Sequence, residues 1–410
     1  MSYPSYRSYT RSKIEGLGGL SMAGKKVNVG LVGYQFMGKA HSVGYRDCTF
    51  AFPDVKAEPV MKEISGLVLA EAEQFGKQYG WERWSEGYRH VCEANDIDLV
   101  DIATGNDTHK EICLAAVGNG KHVFCEKPMA MNVAECKEMI SAVEKAGVVH
   151  MIDFNYRRVP AVELARKMVE QGMIGTPYHF RAVYLQDWIV DPEFPLVWRL
   201  QKELAGSGAH GDLNAHIIDL ARFLCGEFDS VCGMMKTFIK KRPLLATHGG
   251  GLSAQASKEM GEVTVDDATL FLARFQNGAV GTFEATRFAT GNRNGNRFEL
   301  NGSEGSLRFN LERLNEIEYF SRKDDATYQG WKRILVTDPP HPYIKGWWPA
   351  GHIIGWQHTF VHQIYNLMNG IAEGKSPTPN FYDGLECQKV LAAVEKSADT
   401  EQWVKVASVG

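Results

Sequence analysis

Hydrophobic positions in the first third of the chain come in two alternating textures. Short β-branched runs, VNVGLVG (27–33), DLVDIAT (98–104), KHVFCEK (121–127) and VVHMIDF (148–154), each close on a glycine or polar turn. Between them lie segments with apolar residues three and four apart, as in NVAECKEMISAVEKAG, where Val133, Met139, Ile140 and Val143 repeat at helical spacing. Strands alternating with helices predict right-handed βαβ units and a parallel sheet over 25–153. After Asn155 the texture changes. Helical segments at about 161–172 and 210–225 precede a run of strands. TLFLARF-QNG-AVGTFEATRF predicts a hairpin turning at Asn277-Gly278, and RFELNGSEGSLRFNL predicts another. Helices at about 356–373 and 383–398 close the chain, and HGGGLSAQASKEMG (248–261) reads as a loop. The expected class is α/β: an N-terminal doubly wound parallel sheet, then over 154–410 an α+β domain for substrate binding and oligomerisation with a large, mostly antiparallel open sheet.

Size and charge narrow the partners. A chain of 410 residues is too long for one ordinary core. Its net charge of −4 and lack of a basic block argue against nucleic acid, and no apolar run approaches the ~18 residues of a membrane span. Eight scattered cysteines without a Cys-x-x-Cys pair fit reduced, buried thiols in a cytoplasmic protein. Residues 1–24, rich in Ser, Tyr, Gly and Arg, read as a flexible arm or a segment that orders against another subunit.

The first strand runs into GYQFMGKAHS, where Gly33 and Gly38 hold the outer positions of G-x-G-x-x-G and Gln35 replaces the middle glycine. Such a strand–loop–helix offers free N–H groups and the positive helix end to a pyrophosphate, so the loop Gly33, Gln35, Phe36, Met37, Gly38 is the expected dinucleotide cradle of a Rossmann domain. The second strand ends near Ser65-Gly66, expected to face the adenosine ribose. No cation follows for a 2′-phosphate, which favours NAD over NADP, although Lys62 and Glu63 lie close. Two more signals sit at strand ends, on the carboxyl edge where ligands bind: ATGNDTH, with Thr104, Asn106 and His109, and Glu126-Lys127-Pro128. Asn155, after the last strand of this half, is added to the expected cofactor contacts. In GSGAHGDLNAHIIDLARFL, Asp212 and His216 are four apart, hence on one face of a predicted helix, and a carboxylate beside a histidine tunes it as a base.

Together these pieces resemble the Gfo/Idh/MocA oxidoreductases, the glucose–fructose oxidoreductase and inositol dehydrogenase family. Glu-Lys-Pro and Asp-x-x-x-His are its marks, and the likeness covers about 26–405. QFMGKAHS, FNYRR-x-P-A, YLQDW, WR-x-QK and GSGA-x-GD bring it closest to the sugar dehydrogenases of that family. The resemblance implies catalytic roles for Lys127, Asp212 and His216. Gln35 in the glycine loop and His210, where an apolar residue is usual, depart from the pattern.

The implied activity is NAD-dependent oxidation of a secondary ring hydroxyl of a pyranose-like sugar, the 3-position favoured by the resemblance, to a keto sugar. His216 would accept the proton, Lys127 would stabilise the alkoxide, and Asp212 would orient His216 or bind a neighbouring hydroxyl. Arg157, Asp187, Trp188, Arg199, His210, Trp348 and His352 are the expected substrate contacts. Three rivals stand beside this reading. One is a glycoside-processing enzyme that uses bound NAD transiently. Another is a metal-dependent isomerase or hydrolase with His210, Asp212, His216, His358 and His362 as ligands, against the main expectation of no metal. The third is a dinucleotide-binding sensor. An uncovered apolar sheet face further predicts a homo-oligomer, dimer or tetramer.

Overall fold

The computed structural model describes residues 24–246 and 256–410; the expected arm, apart from Gly24, and most of the 248–261 loop lie outside the described residues. Six parallel strands build the first sheet: β1 (Lys25–Val32), β2 (Ala57–Gly66), β3 (Arg83–Glu86), β4 (Leu99–Ile102), β5 (His122–Cys125) and β6 (His150–Ile152). Their order, β3-β2-β1-β4-β5-β6, is the doubly wound arrangement whose strand order reverses between β1 and β4. The crossovers are α1 (Phe36–Ala51), α2 (Leu69–Tyr79), α3 (Tyr88–Glu93), α4 (His109–Gly118) and α5 (Val133–Ala146). The strands read as continuous apolar runs because both faces are covered: Val29, Leu31, Leu99, Val100 and Val123 are fully buried.

The chain continues through α6 (Pro160–Glu170), β7 (Pro177–Leu185), α7 (Lys202–Ala205), α8 (Ala215–Leu224), β8 (Phe228–Lys236), β9 (Lys241–Leu245), β10 (Ala256–Glu262), β11 (Ala268–Phe275), β12 (Val280–Thr286), β13 (Gly295–Gly302), β14 (Gly305–Asn310), β15 (Glu316–Ser321) and β16 (Lys332–Leu335). It closes with α9 (His358–Glu373), α10 (Phe381–Thr400) and β17 (Val404–Lys405). Nine strands form the second sheet in the order β16-β15-β14-β13-β7-β12-β11-β8-β17, antiparallel except where β7 and β12 run parallel. The expected hairpin is β11–β12, its turn closed by Gly278 at φ 89° with its N–H on Phe275 O at 3.0 Å. Residues 256–261 correct the loop expectation. They belong to β10, which pairs with β9 into a two-stranded ribbon, so backbone pairing overrides a composition poor in strand formers.

Helices α6, α8 and α10 cover one face of the large sheet. α9 crosses back to the first half and packs closely on α1 at Gly44, where a Cβ would sit 3.2 Å from Phe360 O. All eight cysteines are free and seven are buried. No helix among the described residues is long and apolar enough to cross a membrane.

Buried charge pins the join between α8, α10 and the segment after β6. Arg157, expected on the substrate, is instead 4% exposed and bonds Asp219 Oδ2 through Nε at 2.8 Å, with Nη2 on Asp219 Oδ1 (2.5 Å) and Asp383 Oδ1 (2.9 Å). Burial favours the neutral carboxyl of Asp219 and outweighs Arg157, raising its pKa, whereas Arg157 and Arg222 hold Asp383 below the usual range against the same pressure. Removing one partner of a buried pair strands the other. Asp219→Ala should therefore cost about 3–5 kcal/mol, measured by denaturant unfolding, with the far-ultraviolet circular dichroism of the folded fraction unchanged.

Candidate active site

The glycine loop is shaped for a close ligand approach. Gly33 sits at φ 111°, where a Cβ would lie 2.4 Å from Ala103 O, and a Cβ on Gly38 would lie 2.2 Å from Gly33 O. Only glycine lets the loop turn this tightly against β1 and start α1. α1 begins after Gln35 without any side-chain cap, so its first amides remain free for an anion. Gln35 and Phe36 are exposed and Met37 is half-buried.

At the end of β2 the Ser65 hydroxyl is buried without a partner, an orphaned donor where a ribose is expected. The following residues are Leu67, Val68 and Leu69, all exposed and apolar, so the strand end presents no cation to a second phosphate. Lys62 and Glu63 point elsewhere: Lys62 pairs with Glu82, and buried Glu63 takes Arg83, Ser85 and His90. These features fit NAD. Its pyrophosphate would lie on the Gly33–Gly38 loop and its adenosine ribose at Ser65-Gly66.

The remaining predicted cofactor residues divide into surface and support. Thr104 is half-buried and hydrogen-bonded to Thr108 (2.7 Å), while Asn106 donates to Ala205 O across to the second half. His109 is fully buried against Pro128 O (3.0 Å) and Thr104 O (3.4 Å), so it braces the Lys127-Pro128 turn from behind. Asn155 is buried and donates to Thr359 Oγ1 at 2.9 Å. Glu126 is 5% exposed and both its oxygens accept from within the protein: Oε2 takes the Lys127 N–H and Oε1 faces His41.

Lys127 leaves β5 toward the second half. Its Nζ donates to Asp212 Oδ1 at 2.8 Å and to Asp212 O at 3.0 Å. Asp212 Oδ2 takes Arg287 Nη2 at 2.7 Å, so the carboxylate is clamped between two cations. Burial alone would raise its pKa; Lys127, Arg287 and Arg199 overcome that and hold it well below the usual carboxylate range. The segment His210–Asn214 is a π turn rather than α-helix. This wide turn breaks the shared face that four-residue spacing implies, and Asp212 bonds Lys127 and Arg287, with no hydrogen bond to His216, against the expectation that it orients the histidine. Asp266 fixes the turn by accepting the N–H groups of Gly208 and His210, and Gly208 is required because a Cβ would lie 1.8 Å from Asp266 O.

His216 follows on α8, 8% exposed. Its Nδ1 is buried without a partner, which leaves Nε2 as the nitrogen available to a ligand. Burial first, and then the Lys127 cation, push its pKa well below 6.5, so the imidazole is neutral at neutral pH. Its ring packs on Tyr156 (4.5 Å between centroids) and Tyr184 (5.9 Å).

Those two tyrosines, from the FNYRR and YLQDW segments, belong to a polar wall that includes the expected substrate residue Trp188. Trp356 Nε1 donates to Tyr156 OH (3.3 Å), Tyr156 OH pairs with Tyr184 OH (2.9 Å), and Tyr184 OH donates to Asn294 Oδ1 (2.7 Å). Gln186 donates to the same Asn294 oxygen, and Trp188 Nε1 donates to Gln186 (2.9 Å). One end stacks on the glycine loop, Trp356 over Phe36 at 5.5 Å; the other lies under Arg287, 5.3 Å from the Trp188 ring. Arg199 joins this end. Its guanidinium rests on Trp198 (4.3 Å) without an ion pair among the described residues, and burial lowers its pKa.

Other expected substrate residues are occupied elsewhere. Asp187 accepts from Gly291 N and Arg293, and His210 is fully buried between Asn214 and Leu391 O. Trp348 and His352 are exposed, and no hydrogen bond or ring contact among the described residues joins them to His216. The histidines of the metal reading are not gathered. His362 bonds Arg158 O and Trp347, His358 bonds the Gly355 backbone, and the one group of metal-ligand geometry among the described residues is His41, Glu126, Asp153.

A family model for the oxidoreductase family with NAD-binding Rossmann fold matches residues 27–154, and one for the GFO/IDH/MocA C-terminal domain matches 162–308. Levoglucosan dehydrogenase of Pseudarthrobacter phenanthrenivorans is 43% identical over 94% of this chain and 99% of its own. Its structure in complex with NADH superposes with a TM-score of 0.88, covering 93% of this chain and 99% of that one. An oxidoreductase domain protein from Kribbella flavida, 47% identical with the same coverage, also gives 0.88. The chain therefore belongs to the Gfo/Idh/MocA family and is an NAD-dependent oxidoreductase acting on CH–OH groups.

Proposed function

We propose that the protein oxidises a secondary ring hydroxyl of a pyranose-like sugar to a ketone, with the 3-hydroxyl as the favoured position. The observation that carries this is a neutral, nearly buried His216 beside the Lys127–Asp212 pair, facing a wall of aromatic rings and hydroxyls. Sugar sites combine apolar ring faces with convergent hydrogen-bonding groups, and Tyr156, Tyr184, Gln186 and Trp188 supply both. Levoglucosan dehydrogenase supports the substrate class.

NAD, when bound, supplies the hydride acceptor. His216 Nε2 accepts the hydroxyl proton, which a neutral imidazole can do and an imidazolium cannot. Lys127 Nζ holds the substrate oxygen and stabilises negative charge developing on it. Asp212 keeps the ammonium in place, and Arg287 keeps Asp212 ionised. Arg199, without a carboxylate partner, is placed to donate its fork of N–H groups to further sugar hydroxyls.

Association follows from the open face of the nine-stranded sheet. Met234, Leu270 and Leu272 are 58%, 41% and 51% exposed and lie side by side, since Leu270 pairs with Met234 and Leu272 with Cys232. We assign this face to a second copy of the chain. Light scattering at micromolar concentration should give at least the dimer mass; a monomer mass removes the assignment.

The catalytic roles are tested on folded variants with turnover and NAD affinity read together. His216→Ala should lower kcat about 100-fold or more with NAD affinity nearly intact. Lys127→Ala should cost about 100- to 1,000-fold. Because His216 is held well below 6.5, wild-type turnover should persist as pH falls from 8 to about 6 and decline only on further acidification. Near-wild-type rates in both variants contradict the assignment.

A further inference from the structure

A buried histidine behind the site takes no part in the steps above. His41, on the helix that follows the glycine loop, is fully buried. Its Nδ1 meets both oxygens of Asp101, at 2.9 and 2.8 Å, and its Nε2 meets Glu126 Oε1 and Asp153 Oδ2, each at 3.1 Å. Both ring nitrogens face acceptors alone, so His41 is an imidazolium that donates on both sides. Tyr45 OH donates to Asp101 Oδ2 at 2.8 Å. Phe124 from β5 and Phe360 from α9 pack on the imidazole at 5.2 and 5.6 Å. The other titratable groups that act on the cluster are Cys125 and His109, both buried beside Glu126, Arg199 from the second half, and Lys127, whose backbone N–H donates to Glu126 Oε2 at 3.0 Å.

Four elements meet in this knot: the pyrophosphate helix through His41, β4 through Asp101, the end of β5 through Glu126 and the end of β6 through Asp153. Glu126 is the hinge of the arrangement. One of its oxygens holds His41 and the other holds the main chain of Lys127. A fixed Glu126 therefore fixes where the lysine leaves the strand.

The charge count is unbalanced. Three carboxyl groups share a single imidazolium in a space sealed from water, and fully ionised they would leave two uncompensated negative charges. A single Nε2–H faces both Glu126 and Asp153, and Asp153 Oδ1 has no partner at all. We propose that His41 is the positioning residue for Lys127, acting through Glu126, and that the knot keeps one extra proton on Asp153. The environment agrees with this placement: burial, then the neighbouring Glu126, push Asp153 up to about 7, while His41 and Lys127 hold Glu126 below its usual value against burial.

The positioning half rests on Lys127 being catalytic; the proton half does not. A carboxyl that is harder to ionise folded than unfolded withdraws stability as pH rises from about 4, its unfolded range, to about 7. Asp153→Asn mimics the neutral acid and removes that loss. Its melting temperature relative to wild type should rise by about 2–4 °C between pH 5 and pH 8. An Asp153→Asn protein that is destabilised equally at both pH values overturns the extra proton. For the positioning half, kcat is expressed per bound NAD, so that loss of folded enzyme cancels. His41→Leu should lower it about 10-fold or more with NAD affinity within threefold, since small misplacements of a reacting group carry costs of that order. Where His41→Leu does not fold, Glu126→Gln, which keeps the shape but not the charge, carries the same comparison. Values within threefold of wild type, alongside a Lys127→Ala control that has lost activity, overturn the positioning role. A Lys127→Ala control that remains active would instead indict the catalytic assignment and leave the melting comparison to decide the proton.

Discussion

The Asp212 carboxylate takes Lys127 on one oxygen and Arg287 on the other, and the relation between the two halves of the site depends on it. Lys127 comes from the end of β5 in the dinucleotide-binding sheet. Asp212 comes from a π turn held by Asp266, and Arg287 from the residue after β12 in the large sheet. A carboxylate half-withdrawn from water is costly unless its charge is met and its lone pairs are satisfied, and here both are done by groups from different parts of the chain. The same pairing leaves His216 without a carboxylate partner. Its low pKa then follows from burial beside an ammonium, which is the state a proton acceptor needs at neutral pH.

Around that centre the buried charges divide into two kinds. Arg157 with Asp219 and Asp383, and His41 with Asp101, Glu126 and Asp153, are held by protein partners and join elements, with only Asp153 Oδ1 left over. Half-buried Arg199, held only by the Trp198 ring, His216 Nε2 and the Ser65 hydroxyl are left without a hydrogen-bonding protein partner. Buried polar groups are ordinarily satisfied, so the second kind marks where a ligand is expected to complete the structure. The neutral rim of Tyr156, Tyr184, Asn294 and Gln186 connects these points, from Phe36 at the glycine loop to Arg287.

Much of the first half was legible because its signals are local. A strand running into Gly33 and Gly38, Ser65-Gly66 closing β2, and Lys127 at the end of β5 depend on backbone geometry within a few residues. The second half was read less completely. The central strand β7 escaped because PYHFRAVYL alternates weakly, with one face on helices and the other open. β10 was taken as loop because its pairing partner β9 supplies what its composition lacks. Arg157 and His210 look like site residues in sequence, since charge there is conspicuous; burial against Asp219 and Leu391 O makes them structural. Tyr156 and Tyr184 lie in FNYRR and YLQDW, yet their pairing with each other and with Asn294, like the role of Arg287, could not be read, because these contacts join residues 28 to 110 positions apart. The expected Asp212–His216 pair failed for a local reason that spacing cannot report, a π turn in place of an α turn.

The central claim is that Lys127 and Asp212 act as one unit, with His216 as a separate proton acceptor. A double-mutant cycle in kcat/KM with Lys127→Met, Asp212→Asn and the pair tests it most directly, with folding and NAD affinity confirmed for each protein. The account predicts strong non-additivity: the double variant should lose little more than the worse single one, a coupling of about 2 kcal/mol or more. Losses that simply add, within about 0.5 kcal/mol, would contradict it.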